Sequence, residues 1–224
     1  MPDYRLAISG YGKMGKLIEK LAPEYGFVIA HVADECESSG ECDALDVAID
    51  FSVPAAVPAN VEKFAALGVN VVVGTTGWHD RFEDVRNIAE SAGIGLIWSP
   101  NFSIGVNVFK RLVAEAARLL ADESEYGAWA WEIHHATKKD SPSGTLLKLV
   151  QIMREAGYHR SIDACGSRAG SHPGTHEIGF DSAADTITLR HTARSREGFA
   201  RGALHAAKWI IGKKGVHEFS EALK

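Results

Sequence analysis

The residues best suited to acid–base chemistry lie close together in one segment of the 224-residue chain. Residues 131–145 read WEIHHATKKDSPSGT and contain two imidazoles, His134 and His135, followed by the ammonium group of Lys138. The alternating apolar residues before His134 predict a half-buried strand, and the Ser-Pro pair at 141–142 predicts the start of a helix. Free N–H groups at a helix start bind anions. Proton donors beside such a site could hold a carboxylate and protonate a neighbouring atom.

The same residues have simpler interpretations. A histidine pair at a strand end is usually a solvated edge, and a Lys-Lys-Asp run is usually an exposed loop. A zinc site is disfavoured, because His134 and His135 would point to opposite faces of a continuing strand and no HExxH or CxxC pattern accompanies them. We therefore expect no metal site, and the order of the groups within one segment favours the chemical interpretation.

A second motif, near the N-terminus, has the spacing of a nucleotide-binding turn. A strand at Arg5–Ser9 precedes G-x-G-x-x-G, and helical spacing follows at Lys16–Leu21. Glycines at these positions allow a tight turn, approach of a pyrophosphate and close packing of helix on strand. A further strand, Phe27–Ala33, ends at Asp34-Glu35, where an acidic residue could bind an adenosine ribose. The candidate cofactor residues here are Gly10, Tyr11, Gly12, Lys13, Met14, Gly15 and Asp34.

The strand–helix alternation then continues to about residue 102. Strands are predicted at 46–51, 70–73 and 95–98, with helices at 54–67 and 80–92. This order predicts a parallel Rossmann-type sheet with right-handed crossovers and ligands at the carboxyl ends of the strands. The turns at 74–77 and 99–101 fall at such ends, so one cofactor could touch all three turns.

After Ser103 the pattern changes to one that predicts a smaller α+β domain. The predicted elements are helices at 106–120 and 142–156, strands at 129–134, 176–180 and 186–192, a loop-rich stretch at 165–175, and a last helix at 199–211. Clustered strands favour a mixed or antiparallel sheet. We predict a dinucleotide-binding domain at 1–102, a substrate-binding and oligomerisation domain at 103–198, and a C-terminal helical segment at about 199–224 that packs back on the first domain.

Composition narrows the class of protein. A net charge of −5 with 46% hydrophobic residues gives no basic footprint, which argues against nucleic acid or an anionic membrane as a partner. Three cysteines, Cys36, Cys42 and Cys165, are typical of reduced thiols rather than of a disulfide framework. No signal peptide or membrane span is recognisable. A cytoplasmic protein with a small-molecule substrate is expected.

The histidine segment resembles the signature of the dihydrodipicolinate reductase family (4-hydroxy-tetrahydrodipicolinate reductase), which runs approximately E-x-x-H-H-x-x-K-x-D-x-P-S-G-T. Glu132 fits this pattern with an offset of one residue. Other landmarks of the family follow in order along nearly the whole chain, namely Met14-Gly15, Gly74-Thr75-Thr76, Asn101-Phe102-Ser103, Arg168-Ala169-Gly170, Gly174, His176, Ser195-Arg196 and Phe199.

The resemblance implies NADH- or NADPH-dependent reduction of a cyclic dicarboxylic imine by a tetramer. It implies that His134 is the acid/base, that Lys138 is a second proton donor, and that His135 with Gly144 and Thr145 holds a substrate carboxylate. The residues implied to line the cofactor are Met14, Asp34, Gly74, Thr75, Thr76, Ser99, Pro100, Asn101 and Phe102. Since Asp34-Glu35 without an adjacent arginine would repel a 2′-phosphate, NADH is expected to be favoured over NADPH.

Two other functions remain open. A Rossmann dehydrogenase acting on an amino-acid semialdehyde would share the nucleotide half, but one that acylates itself needs a nucleophilic cysteine, and none of the three lies in a plausible site. A non-catalytic nucleotide sensor would have no need of the acid or of the anion-binding loop. These functions are distinguished by whether the oxidation of NADH requires the cyclic imine, requires another carbonyl compound or requires no substrate.

Overall fold

The computed structural model of the protein describes residues 4–34, 38–40 and 44–223. These residues form two compact units, of which the first runs to Ile104 and resumes at Arg196, and the second covers Gly105–Ser195. Glu35, Cys36 and Cys42 lie outside the described residues. Among the described residues, no helix is long and apolar enough to cross a membrane.

The strands and helices of the described residues are numbered along the chain. The strands are β1 (Tyr4–Ser9), β2 (Phe27–Ala33), β3 (Ser38–Gly40), β4 (Val47–Asp50), β5 (Asn70–Val73), β6 (Gly95–Trp98), β7 (Gly127–His134), β8 (Ile162–Arg168), β9 (Thr175–Asp181), β10 (Thr186–Thr192) and β11 (Gly215–Glu218). The helices are α1 (Lys13–Leu21), α2 (Val57–Ala66), α3 (Phe82–Ala92), α4 (Ile104–Leu119), α5 (Gly144–Glu155) and α6 (Glu197–Ile210).

The first unit is a sheet covered by helices on both faces. Its strand order is β11-β6-β5-β4-β1-β2-β3, and all neighbours are parallel except β3, which pairs antiparallel with β2. Leu6 and Ile8 pack with α1 and α6, whereas Ala7 packs with α2 and α3 on the other face. Strands buried on both faces are typical of parallel sheets between helices. The predicted Rossmann-type sheet is confirmed.

The second unit is a four-stranded sheet with the order β10-β9-β7-β8. Strand β7 pairs antiparallel with β9 and parallel with β8, so the sheet is mixed, as predicted. Phe109 of α4 and Leu149 of α5 pack with Ile178 of β9 in its core. The sheet places residues of β8 and β9 on either side of the end of β7, where the histidine segment begins.

Two predictions about the second unit are wrong in detail. The stretch predicted as a loop at 165–175 begins inside β8, which runs to Arg168 and pairs with β7. Its cysteine, glycine and serine are weak strand formers, so pairing with β7 rather than local preference produces this strand. Helix α5 begins at Gly144, not at Pro142 after Ser141, because Ser143 is the N-cap and its hydroxyl accepts from the Leu146 N–H.

The C-terminal segment is α-helical over α6, which packs against the first sheet through Ala203 and Leu204, and it has a short 3-10 helix at Phe219–Leu223 after β11. The predicted helical extent of about 199–224 is therefore too long. Gly212 and Gly215 have positive φ angles of 76° and 87°, which end the helix and turn the chain into β11 at the sheet edge.

Candidate active site

Three glycines shape the turn after β1, and each meets a different steric demand. Gly10 has φ of +86°, and a Cβ there would lie 2.3 Å from the carbonyl oxygen of Phe51. A Cβ on Gly15 would lie 2.3 Å from the Gly10 carbonyl oxygen, so α1 can approach the strand only with glycine there. A Cβ on Gly12 would meet no heavy atom of the described residues within 4 Å, apart from its own neighbours. The space before Gly12, at the start of α1, is therefore open to an anionic ligand.

A cleft lies along the carboxyl ends of β1, β2 and β4. Of the predicted cofactor residues, Gly10, Gly12 and Asp34 line it. Two further grooves share Phe51 with this cleft. The predicted residues that line those grooves are Gly12, Lys13, Met14, Gly74, Thr75, Thr76, Ser99, Pro100, Asn101 and Phe102. The three turns predicted to share one cofactor thus line a cleft and two grooves of the first unit that meet at Phe51.

Two predicted residues do not line this region. The Tyr11 hydroxyl donates to Glu19, and Gly15 is a buried residue of α1 itself. Sequence reasoning assigned no role to several residues that do line it, namely Phe51, Ser52, Asn60, Arg196 and Phe199. Phe51 follows β4 directly, so the rule that ligands bind at strand ends could have found it.

A buried carboxylate supports two of the lining turns from behind. Asp50 is fully buried and accepts hydrogen bonds from the Asn60 amide (2.7 Å), the Ser52 hydroxyl (2.9 Å) and the Thr75 hydroxyl (2.5 Å). The Ser52 N–H in turn donates to Thr75 Oγ1 at 2.8 Å. Because buried charges are stable only when they are hydrogen-bonded, Asp50 fixes the turns after β4 and β5 relative to each other.

In the second unit, Glu132 is the centre of a buried polar network. Its Oε1 accepts from the Ser143 N–H at 2.8 Å and from the Arg168 guanidinium at 2.9 Å. Its Oε2 lies 2.9 Å from Nδ1 of His134 and 3.5 Å from Nε2 of His176. Sheet register explains this arrangement, since His134 pairs with Arg168 on β8 and Glu132 pairs with His176 on β9.

The network sets the protonation of its members. Burial raises the pKa of the Glu132 carboxyl, but hydrogen bonds from Ser143 and Arg168 outweigh burial and leave that pKa below its ordinary value. Burial lowers the pKa of His134, the Glu132 charge opposes this, and the charges of Lys138 and Arg168 add to the lowering. Burial, with the neighbouring His134, lowers the pKa of His176 to about 4. At neutral pH the unliganded network therefore holds an ionised carboxylate and two neutral imidazoles.

The other two predicted groups of the histidine segment lie nearer the surface. Lys138 pairs with Asp140, its Nζ lying 2.7 Å from Oδ1, and this hydrogen bond lowers the pKa of Asp140. His135 Nδ1 lies 2.7 Å from the Thr137 hydroxyl in an exposed contact. Arg168 donates to the backbone carbonyls of Lys138 and Asp140. The loop is thus tied to the buried network through the same arginine that pairs with Glu132.

The start of α5 completes the site. The Ser143 hydroxyl accepts from the Leu146 N–H at 3.2 Å and lies 3.2 Å from His176 Nε2. Gly144 and Thr145 supply first-turn N–H groups, which have no acceptor within a helix. The Gly144 N–H donates to the Asp140 carboxylate and helps to lower its pKa. Gly144 is exposed, and a Cβ there would meet no heavy atom of the described residues within 4 Å beyond its neighbours. The site can therefore present N–H donors to an anion beside a buried histidine.

Glu132, His134 and His176 also form a group whose ligand atoms lie within 4.8 Å of one another, close enough to hold a metal ion. However, Glu132 Oε1 is already occupied by Arg168 and Ser143. The cations of Arg168 and Lys138 lie near enough to lower the pKa of His134. Cations near Glu132 and His134 oppose the binding of a further cation, so the charges fit proton transfer next to an anion better than a metal site.

Models of one family match almost the entire chain. The model for "Dihydrodipicolinate reductase, N-terminus" matches residues 4–102, and the model for "Dihydrodipicolinate reductase, C-terminus" matches residues 105–223. The second match includes α6, which belongs by its contacts to the first unit.

Individual proteins agree with these models. A 4-hydroxy-tetrahydrodipicolinate reductase from Christiangramia forsetii is 36% identical over 231 residues, covering 97% of this chain and 97% of that protein. One from Archaeoglobus fulgidus is 37% identical, covering 98% of this chain and all of that protein. The structure of a dipicolinate-bound dihydrodipicolinate reductase from Paenisporosarcina sp. TG-14 has a TM-score of 0.82 at 22% identity, with 99% of each chain covered.

Proposed function

Because the chain belongs to the dihydrodipicolinate reductase family, we propose that it reduces 4-hydroxy-tetrahydrodipicolinate to tetrahydrodipicolinate with NADH or NADPH. This reaction belongs to lysine and diaminopimelate biosynthesis. The observation that carries the proposal is the nearly buried His134 at the end of β7, where the same segment supplies Lys138 and the start of α5.

The chemistry divides between the two units. A nicotinamide, when bound, supplies the hydride. The 4-hydroxyl of the substrate leaves as water, which gives the conjugated imine. Hydride addition to this imine leaves an enamine anion, whose neighbouring carbon is then protonated. His134 or Lys138 supplies this proton, while His135 and the N–H groups of Gly144 and Thr145 hold a ring carboxylate.

Residues of the first unit bind the cofactor. The open space before Gly12 and the start of α1 suit a pyrophosphate, and the turns after β5 and β6 line the adjoining grooves. Asp34 is exposed and lines the cleft beside Gly10. Its carboxylate accepts hydrogen bonds from ribose hydroxyls and repels a 2′-phosphate, so NADH is the preferred cofactor. A higher kcat/KM with NADPH than with NADH would contradict this preference.

The family's tetrameric assembly and a cytoplasmic location belong to the same proposal. The second unit exposes large apolar side chains on α4, α5 and β10, among them Leu112, Leu147 and Ile187. Such surface is suited to contact between copies of the chain. Light scattering of the purified protein should give four times the chain mass, and a monomer at micromolar concentration would contradict the assembly.

The direct test is NADH consumption at 340 nm while a synthase condenses pyruvate with aspartate semialdehyde to supply the substrate. Oxidation should require the synthase. Removing a general acid typically costs about 10² to 10⁴ in rate, so His134→Gln and Lys138→Ala should each lower kcat at least about 100-fold. Matched controls are His159→Gln and Lys139→Ala, whose side chains are exposed.

The outcomes separate the alternatives. Losses below about tenfold in both variants would remove these residues from the chemistry. Oxidation driven by aspartate semialdehyde alone would favour a semialdehyde dehydrogenase. A folded protein that binds NADH but oxidises it with neither substrate would favour a nucleotide sensor.

A further inference from the structure

The placement of Glu132 is not explained by folding alone. Its side chain is fully buried in the second unit, where a charged group is costly unless it is paired. Oε1 satisfies this condition through Ser143 and Arg168. Oε2 is directed instead at two imidazoles, 2.9 Å from His134 Nδ1 and 3.5 Å from His176 Nε2. One carboxylate oxygen is thus anchored while the other faces the proposed acid.

The opposite side of the His134 ring faces a glycine. A Cβ on Gly174 would lie 2.9 Å from Nε2 of His134, and the residue has φ of +137°, a conformation that only glycine adopts readily. Nδ1 therefore faces a carboxylate oxygen at 2.9 Å, neither of these two buried atoms has a hydrogen-bond partner among the described residues, and Nε2 is given room by a missing side chain. Imidazoles that act as acids or bases are commonly oriented by a carboxylate at the other nitrogen.

We propose that Glu132 is the positioning residue for His134, which it holds through Nδ1 so that Nε2 is the nitrogen that delivers the proton, in the space left by Gly174. The proposal rests on the reductase function argued above. In the step itself, the N–H bond at Nε2 breaks, a C–H bond forms on the enamine carbon, and the imidazole is left neutral with its proton on Nδ1 beside Glu132.

The charges around His134 give Glu132 a second effect. The ring faces Glu132 on its own strand, Arg168 on β8, His176 on β9, and Lys138 and His135 in the following loop. Burial and the cationic neighbours lower the pKa of His134, whereas the negative charge of Glu132 raises that pKa and so opposes them. Without the carboxylate, the imidazolium form that donates the proton would become scarcer at neutral pH.

The test is Glu132→Gln, which keeps the shape and removes the charge. We expect kcat to fall at least about tenfold with a smaller change in KM, and the basic limb of the kcat–pH profile to move about one unit lower. The kcat of Glu132→Asp should lie between the values for the wild type and Glu132→Gln. Glu177→Gln makes the same chemical change at a part-buried position on β9, where Glu177 pairs with Arg190, and should leave the profile in place.

A measurement without turnover keeps the proposal testable by itself. In the unliganded protein, the His134 Cε1–H resonance, assigned by its loss in His134→Gln, should titrate at lower pH in Glu132→Gln than in the wild type. An unshifted resonance together with an unshifted pH profile would overturn the proposal. If the wild type had no reductase activity but the His134 titration still moved to lower pH in Glu132→Gln, the proposed function would be refuted and the positioning role of Glu132 would stand. If Glu132→Gln does not fold, Glu132→Asp supplies both readouts.

Discussion

The cofactor region of the first unit and the histidine network of the second are constructed from different parts of the chain. The first depends on backbone: Gly10, Gly12 and Gly15 shape a turn within six residues. The second depends on charged side chains, with Glu132 and Arg168 brought together from separate strands. This difference predicts that the two regions respond to different kinds of substitution. Added atoms should damage the first region, whereas loss of charge should damage the second.

The largest expected effect is on the charge-held network. Arg168→Met leaves the buried Glu132 carboxylate without its cation, and breaking a buried pair typically costs about 3–5 kcal/mol of unfolding free energy. Urea denaturation measures the loss. Arg154→Met, on the exposed side of α5, should change stability by less than about 0.5 kcal/mol.

A double variant sharpens the same point. Adding Glu132→Gln to Arg168→Met removes the uncompensated charge, so the double variant should be more stable than Arg168→Met alone. If the unfolding free energy of Arg168→Met lay within about 1 kcal/mol of the wild-type value, charge pairing would not be what holds this network.

The next effect tests the backbone-held turn with two glycines two residues apart. Gly10→Ala forces a side chain onto a positive φ and against the Phe51 carbonyl, which should cost about 2 kcal/mol or more. Gly12→Ala meets open space, so its stability should stay close to that of the wild type while its KM for the cofactor rises. Thermal unfolding with cofactor titration measures both.

Equal destabilisation by the two alanines would mean that both glycines serve the fold. An unchanged cofactor KM in Gly12→Ala would mean that the pyrophosphate does not approach this turn. Either result would remove the contrast between the two regions.

A smaller effect should appear as a pH dependence of stability. The His176 pKa of about 4 in the folded protein lies below the value near 6.5 of an exposed histidine. In this pH range His176 binds a proton in the unfolded chain but not in the folded protein. Stability therefore falls as pH falls from about 6.5 towards 4. Between pH 6.5 and 5 the loss from this residue should be about 2 kcal/mol.

The difference between the unfolding free energies of the wild type and His176→Asn, measured in urea across this range, isolates the contribution, because the other titrating groups are present in both proteins. His159→Gln should follow the wild type. Parallel slopes in the wild type and His176→Asn would show that His176 is not kept neutral by the fold.

The same contrast explains what could be predicted from the sequence. The turn from Gly10 to Gly15 is local, so its glycine spacing sufficed to predict the dinucleotide fold. His134 and Lys138 were found because one short motif contains them. Arg168 and His176 appeared only as landmarks without roles, since their proximity to Glu132 depends on strand register.

One misplaced strand and one missed hydrogen-bond network have the same origin. The part of β8 from Cys165 onward is predicted as loop because Cys165, Gly166 and Ser167 carry little strand preference. With that strand missing, no pairing of His134 with Arg168 could be anticipated. The Asp50 network was missed for a related reason, because Asn60 and Thr75 meet it from different turns. Long-range pairing, rather than local pattern, determines these contacts.

The smallest expected effect lies where the second unit uses backbone groups as the first one does. Gly144→Ala adds a Cβ that meets no described atom within 4 Å beyond its neighbours, so the unfolding free energy should change by less than about 0.5 kcal/mol. If a substrate carboxylate binds the N–H groups at this helix start, the methyl group will crowd it and raise KM more than it lowers kcat. Steady-state kinetics of the coupled assay measure this. An unchanged KM would place the carboxylate on the side-chain cations instead, and the second unit would then bind its ligand through the type of charged side chain that also pairs with Glu132.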